Sequence, residues 1–207
     1  MVRCTFSPAR AWRLAVGPAS TRTLGVMKPT LLSSYVQDIR AEKRLSAEVP
    51  NFDPNNGNER AKYLFVLEAP GPKAVKSGHV TFDNPDLTAS NLKAQLKAAG
   101  VDRSEIAVWN IVPWYVGNED KSRIRAVEGT EVSEGIAYLL RLLPLLPNLR
   151  SIVLVGSKAR RAHVPLSAAT RCHVLSCHHP SPRAMNLLPS AAAENVEIFK
   201  NMQRIAA

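Results

Sequence analysis

Three short apolar runs in this chain each end in a distinctive polar group, and that repetition constrains the fold more than any other feature. Tyr63-Leu64-Phe65-Val66-Leu67 is followed by Glu68-Ala69-Pro70-Gly71, and Ile106-Ala107-Val108-Trp109 by Asn110. Val174-Leu175-Ser176-Cys177 leads through His178 to His179-Pro180-Ser181-Pro182. A fourth run, Ser151-Ile152-Val153-Leu154-Val155, ends at Gly156. Continuous apolar runs of this length, bounded by turn formers, read as strands buried on both faces. Helix-period segments lie between them, and strands alternating with helices imply crossovers and a parallel sheet covered on both sides. The expected fold is α/β: a three-layer α/β/α sandwich around a central, mainly parallel four-stranded sheet. In such a sheet ligands bind outside the carboxyl ends of the strands, where all the polar groups above fall.

The helical segments can be placed in advance. Leu31, Leu32, Tyr35, Val36, Ile39 and Leu45 have helical spacing, so a first core-packing helix is expected within Thr30 to Leu45. Asn51 to Asn58 is rich in turn formers and reads as a surface loop, and a long loop is expected after Gly71. A helix from Leu87 to Ala99 should end at Gly100, which suits a left-handed cap. Another, from about Glu131, should stop at Leu143 before Pro144, and a last amphipathic helix should run from Ala191 to Ile205.

The chain has 207 residues, with 27 Lys and Arg against 17 Asp and Glu, a net charge of +10. That length favours one domain with a self-sufficient core, expected over 28–207. The charge points to a polyanionic partner, because cations that neutralise phosphates release condensed counterions. Arg3, Arg10, Arg13, Arg22 and Lys28 all precede the first acid, Asp38. Residues 1–27 therefore read as a basic, flexible arm, an organelle-import leader, or the product of a start placed upstream of Met27. No segment has the roughly 18 continuous apolar residues of a membrane span. A soluble cytoplasmic protein is expected, nucleoid-associated if bacterial, with no membrane partner. Three cysteines, Cys4, Cys172 and Cys177, make no disulfide framework. In Cys177-His178-His179, strand alternation lets only Cys177 and His179 share a face, so no metal site is expected.

On these residues the chain resembles the uracil-DNA glycosylase superfamily, in matching order from about Tyr63 to Arg204. The likeness is to branches carrying Glu-Ala-Pro-Gly and His-Pro-Ser-Pro strings. It departs from them at Leu67, where those branches have Gly, and at Ala69, where some have Asp. The resemblance implies that Glu68 aligns or activates water and that Ala69, Pro70 and Gly71 line the base site. It also implies that Phe82 stacks on an extruded base, since an aromatic face replaces part of the stacking lost on flipping. Asn110, with Pro113 three residues on, matches the amide that reads uracil: one side chain both accepts from N3–H and donates to O4. His179 matches the group that bonds uracil O2, where negative charge develops as the base departs.

The same resemblance makes Ser181 and Pro182 part of a stiff turn against the duplex, with Arg183 to Asn186 as a wedge loop. Arg183 or Met185 would fill the gap left by the base, where some relatives insert Leu. Lys73, Lys158, Arg160 and Arg161 are candidate backbone contacts. Iron–sulfur-bearing relatives use four cysteines, so no cluster and no other cofactor are expected here. The implied activity is that of a monomeric, monofunctional glycosylase acting on uracil in single- or double-stranded DNA to leave an abasic site. A glycosylase for other deaminated bases and a non-catalytic or covalently trapping uracil-DNA binder remain as alternatives.

Overall fold

The structure, a computed structural model, describes residues 30–206; the arm expected over 1–27 lies outside the described residues. Thr30 caps the first helix, α1 (Leu31–Lys43), by accepting the Ser33 N–H at 3.1 Å. Strands β1 (Asn51–Phe52) and β3 (His79–Val80) form a two-residue parallel ribbon. The main sheet comprises β2 (Tyr63–Leu67), β4 (Ile106–Asn110), β5 (Ser151–Val155) and β6 (His173–Cys177), all parallel, in the order β4-β2-β5-β6. The remaining helices are α2 (Pro72–Ser77), α3 (Leu87–Ala98), α4 (Gly129–Leu142), α5 (Gly156–Ala159), α6 (His163–Ala169), α7 (Pro182–Leu187) and α8 (Ala191–Ile205).

The expected three-layer α/β/α arrangement is what forms. Strand alternation sends Leu64, Val66, Ala107, Trp109, Ile152 and Leu154 to one face, against α1, α4 and α6. Phe65, Ile106, Val108, Val153, Val155 and Cys177 point to the other, against α3 and α8, where Phe199 meets Phe65 edge-on at 5.2 Å. Connections leaving β2 and β5 run to opposite sides of the sheet, so the order reverses between these neighbours. Such a switch point opens a crevice at the carboxyl ends.

Several local expectations need correction. The stretch after Gly71 is not a long loop: Pro72 starts α2, Gly78 ends it at φ 75°, and β3 follows. The segment from Asn51 is not a surface loop either, because Phe52, Asp53 and Asn56 are buried. Asp53 accepts from Arg103 Nη2 at 2.5 Å and from Thr81 Oγ1, which makes a turn-rich string part of the interior. Arg183 to Asn186 lie in α7 rather than a loop, with Pro182 in its first turn and Ser181 as its cap. Ala159 and Leu166, in α5 and α6, were not anticipated as core-packing helical residues.

Close approach of α4 to the sheet depends on Gly135. A Cβ there would collide with the Ile111 carbonyl, immediately after Asn110. Gly135→Ala should therefore push α4 off the β4 end and destabilise the fold by roughly 2–3 kcal/mol, in the range of core overpacking. Urea unfolding with an unchanged midpoint would show instead that α4 does not depend on this contact.

Candidate active site

The β2–β4 ladder sets the floor of the site. Its register pairs Leu67 with Asn110, and it continues past both strands: Ile111 N–H donates to Leu67 O at 2.8 Å and Val112 N–H to Glu68 O at 3.0 Å. These bonds fix the backbone at Glu68 beside the Asn110 peptide. By the period of two, Asn110 shares the face of Ile106 and Val108, the side covered by α3 and α8. His179 follows the same parity from Cys177 and reaches the same side. His178 turns away, with Nε2 2.8 Å from Glu194 Oε2.

A cavity of about 410 Å³ opens there, and Glu68, Phe82, Asn110 and His179 all line it. Ala69, Pro70, Gly71 and Lys73 form part of the same wall. Leu67, the last residue of β2, lies on its lining too. Asn110 is buried, and its Nδ2 has no hydrogen-bond partner. An orphaned buried amide donor costs on the order of 1–3 kcal/mol, which a ligand carbonyl in the cavity would recover.

Two features favour the neutral form of the His179 ring. Its Nδ1 accepts the Ser181 backbone N–H at 3.2 Å, and burial lowers its pKa below the ordinary 6.5. A neutral ring whose Nδ1 is an acceptor carries its proton on Nε2, so the free nitrogen is a donor. Gly156 makes room for this ring: at φ 86° its absent Cβ would stand 3.0 Å from His179 Cβ and 3.1 Å from Cδ2. Burial pushes the neighbouring Cys177 thiol up to about 12, so it behaves as a small apolar residue.

Phe82 is 6% exposed, and the Arg103 guanidinium lies over its ring at 4.6 Å. Arg103 also pairs with Asp53 at 2.5 Å and Asp83 at 2.6 Å, which ties the Phe82 loop to the body. Sequence reasoning missed this brace because its members are separated by up to 50 positions. It also missed Asn84, Asp86 and Thr88 near the start of α3, and Ile124 and Arg125 on the opposite rim. Gly117 pairs with Ile124 in an antiparallel bridge, a hairpin whose only sequence signal was its charge.

The candidate DNA contacts divide. Lys73 and Arg183 are exposed. Lys158 Nζ instead donates to Val127 O at 2.6 Å, and Arg160 Nη2 to Cys177 O at 3.1 Å, so both brace backbone near the site. The Ser181 hydroxyl accepts the Ala184 N–H at 3.4 Å as a helix cap. Met185 turns toward α3, its Sδ 3.5 Å from Gln95 Nε2, whereas Leu187 is 76% exposed.

No curated protein matches the chain in sequence. Among solved structures it is similar to the solution NMR structure of a candidate uracil DNA glycosylase from Methanosarcina acetivorans. The identity is 15%, the match covers 70% of this chain and 92% of that one, and the TM-score is 0.46. The sequence model of one family extends over residues 54–203, spanning all four strands of the main sheet and every side chain gathered around the cavity, and the chain belongs to that family, the uracil DNA glycosylase superfamily.

Proposed function

We propose that the protein is a monofunctional DNA glycosylase that hydrolyses the bond between uracil and deoxyribose in DNA and leaves an abasic site. The observation that carries this is the meeting of Glu68, Phe82, Asn110 and His179 in one cavity, with the Asn110 amide still unpartnered. An extruded uracil lies against Phe82. Asn110 Nδ2–H donates to O4 while Oδ1 accepts from N3–H; cytosine presents the reverse pattern and would leave both groups unpaired.

The Glu68 carboxylate orients water toward C1′ and draws off its proton as the C–O bond forms. The glycosidic electron pair passes to the departing base, whose negative charge spreads to O2. His179 Nε2–H meets that charge, and because the donor is already oriented by the Ser181 contact it favours the transition state over bound substrate. Lys73 belongs to the wall that faces the sugar and phosphate, and Arg183 to the surface that meets DNA. Leu187, rather than Met185, is the exposed apolar side chain of α7 suited to wedge between bases.

The test is excision from end-labelled oligonucleotides with one uracil, single- and double-stranded, under excess substrate. Alkali-dependent cleavage over many turnovers is expected. Glu68→Gln should lower the rate by roughly 10²–10⁴, His179→Gln by about 10²–10³ and Asn110→Ala by roughly 10–10². Uracil-selective binding without turnover would make the protein a lesion binder, and neither binding nor excision would defeat the uracil assignment.

Acidification gives an independent check on His179. Its folded pKa lies below the ordinary 6.5, so the unfolded chain takes up this proton first as pH falls. Its effect on stability is nil above 6.5, and stability declines through the window beneath. Urea unfolding at pH 7.5 and 5.5 should show a larger loss for wild type than for His179→Gln; equal losses would place the ring elsewhere. Gly156→Ala adds a left-handed strain of about 1–2 kcal/mol and displaces the ring. It should lower both the melting temperature and single-turnover excision, whereas a change in melting temperature alone would separate Gly156 from the site.

A further inference from the structure

The base cavity continues into a surface groove between α2 and the 117–125 hairpin. Pro72 and Lys73 line both, and Lys76, Lys121 and Ser122 line the groove further out. Arg123 lies beside Ser122 on the hairpin and is exposed. Elsewhere among the described residues, Lys43, Lys62, Lys93, Arg103, Arg125, Arg141 and Lys200 are each ion-paired within the protein. Lys73, Lys76 and Arg123 have no side-chain partner among the described residues, as is also true of Arg44, Arg60, Lys97, Arg161, Arg171 and Arg183, none of which lines the groove. Lys121 pairs with Glu48 at 2.7 Å, and Asp120 is the groove's acid.

The hairpin that presents these charges is fastened. Tyr115 Oη donates to Arg123 O at 2.7 Å, Arg125 N–H donates to Val116 O at 3.0 Å, and the Arg125 guanidinium holds Glu131 at 2.7 Å. Ile124, between Arg123 and Arg125, lines the base cavity. One rigid element thus borders both the place a base enters and the basic groove alongside.

We propose that this groove carries the phosphodiester backbone of the DNA strand next to the flipped nucleotide, with Lys73 and Lys76 on its phosphates and Arg123, exposed on the hairpin beside the groove, on the phosphate that follows. The proposal rests on the glycosylase function above and adds the path of the strand. A nucleotide cannot enter the cavity without its neighbouring phosphates lying at the rim, and unpaired cations there gain affinity by releasing counterions. Ile124 then faces the sugar or base at the turn of the strand.

Binding is read by fluorescence anisotropy on a labelled single-stranded oligonucleotide whose one deoxyuridine is made inert by 2′-fluorination, across a series of NaCl concentrations. The full chain, the double variant Lys76→Gln/Arg123→Gln, and Arg171→Gln are compared. Arg171 is exposed just before β6, at the amino end of the sheet away from the cavity. Removing two phosphate contacts should lower the slope of log K against log salt by about 1.4. Arg171→Gln should leave the slope as in wild type. An unchanged slope in the double variant, or an equal fall with Arg171→Gln, overturns the track. Failure of wild type to excise uracil in a parallel assay would remove the glycosylase function instead, because the slope reads phosphates and not chemistry.

Discussion

Everything at the site depends on the parallel pairing of β2 with β4 and its continuation beyond both strands. The bonds from Ile111 to Leu67 and from Val112 to Glu68 satisfy backbone groups that would otherwise be orphaned where the strands end. They also bring the turn after β2 against the last residue of β4. A slip of one residue would turn Asn110 to the opposite face and empty the cavity of its amide. The register is protected by burial, since every residue of β4 is inaccessible and each has a preferred side.

The two faces of the sheet divide the work. The face under α1, α4 and α6 is filled by apolar packing, and Trp109 stacks there on Phe52 at 4.3 Å. The other face is core near its middle and becomes cavity toward the carboxyl ends, where Val108 and Leu92 serve both. Phe82 belongs equally to the α3 and α8 core and to the cavity wall, so the base stacking proposed for it would use a ring already fixed by packing and by Arg103. A ring restrained in this way loses little entropy on binding.

Long elements were legible because their signals are local and repeated. The β5 run and the α8 helix fall where the apolar pattern put them, and Gly100 takes the left-handed conformation expected of it, at φ 69°. Of the two adjacent histidines His179 lines the cavity, while His178 reaches Glu194 on α8 and not the opposite face that strict alternation would give it. Short elements were not legible. Helices of four to seven residues such as α2, α5, α6 and α7 gain too few hydrogen bonds to offset nucleation, so tertiary contacts and not intrinsic propensity make them helical. Met185 shows the same effect: once the segment coils, its sulfur meets Gln95 on another helix.

By itself the sequence determined the strand-helix alternation, the polar groups at three strand ends and the excess of positive charge. Each of these follows from the residues within a few positions. Tertiary structure alone decided that Gly156 gives His179 its space, that Ser181 sets its proton, and that Lys158 and Arg160 are internal braces. It also decided that Lys73 and Lys76 of α2 share one groove with Lys121 and Ser122 of the 117–125 hairpin. These relations join residues tens of positions apart, and only packing the sheet between its helices brings them within contact distance.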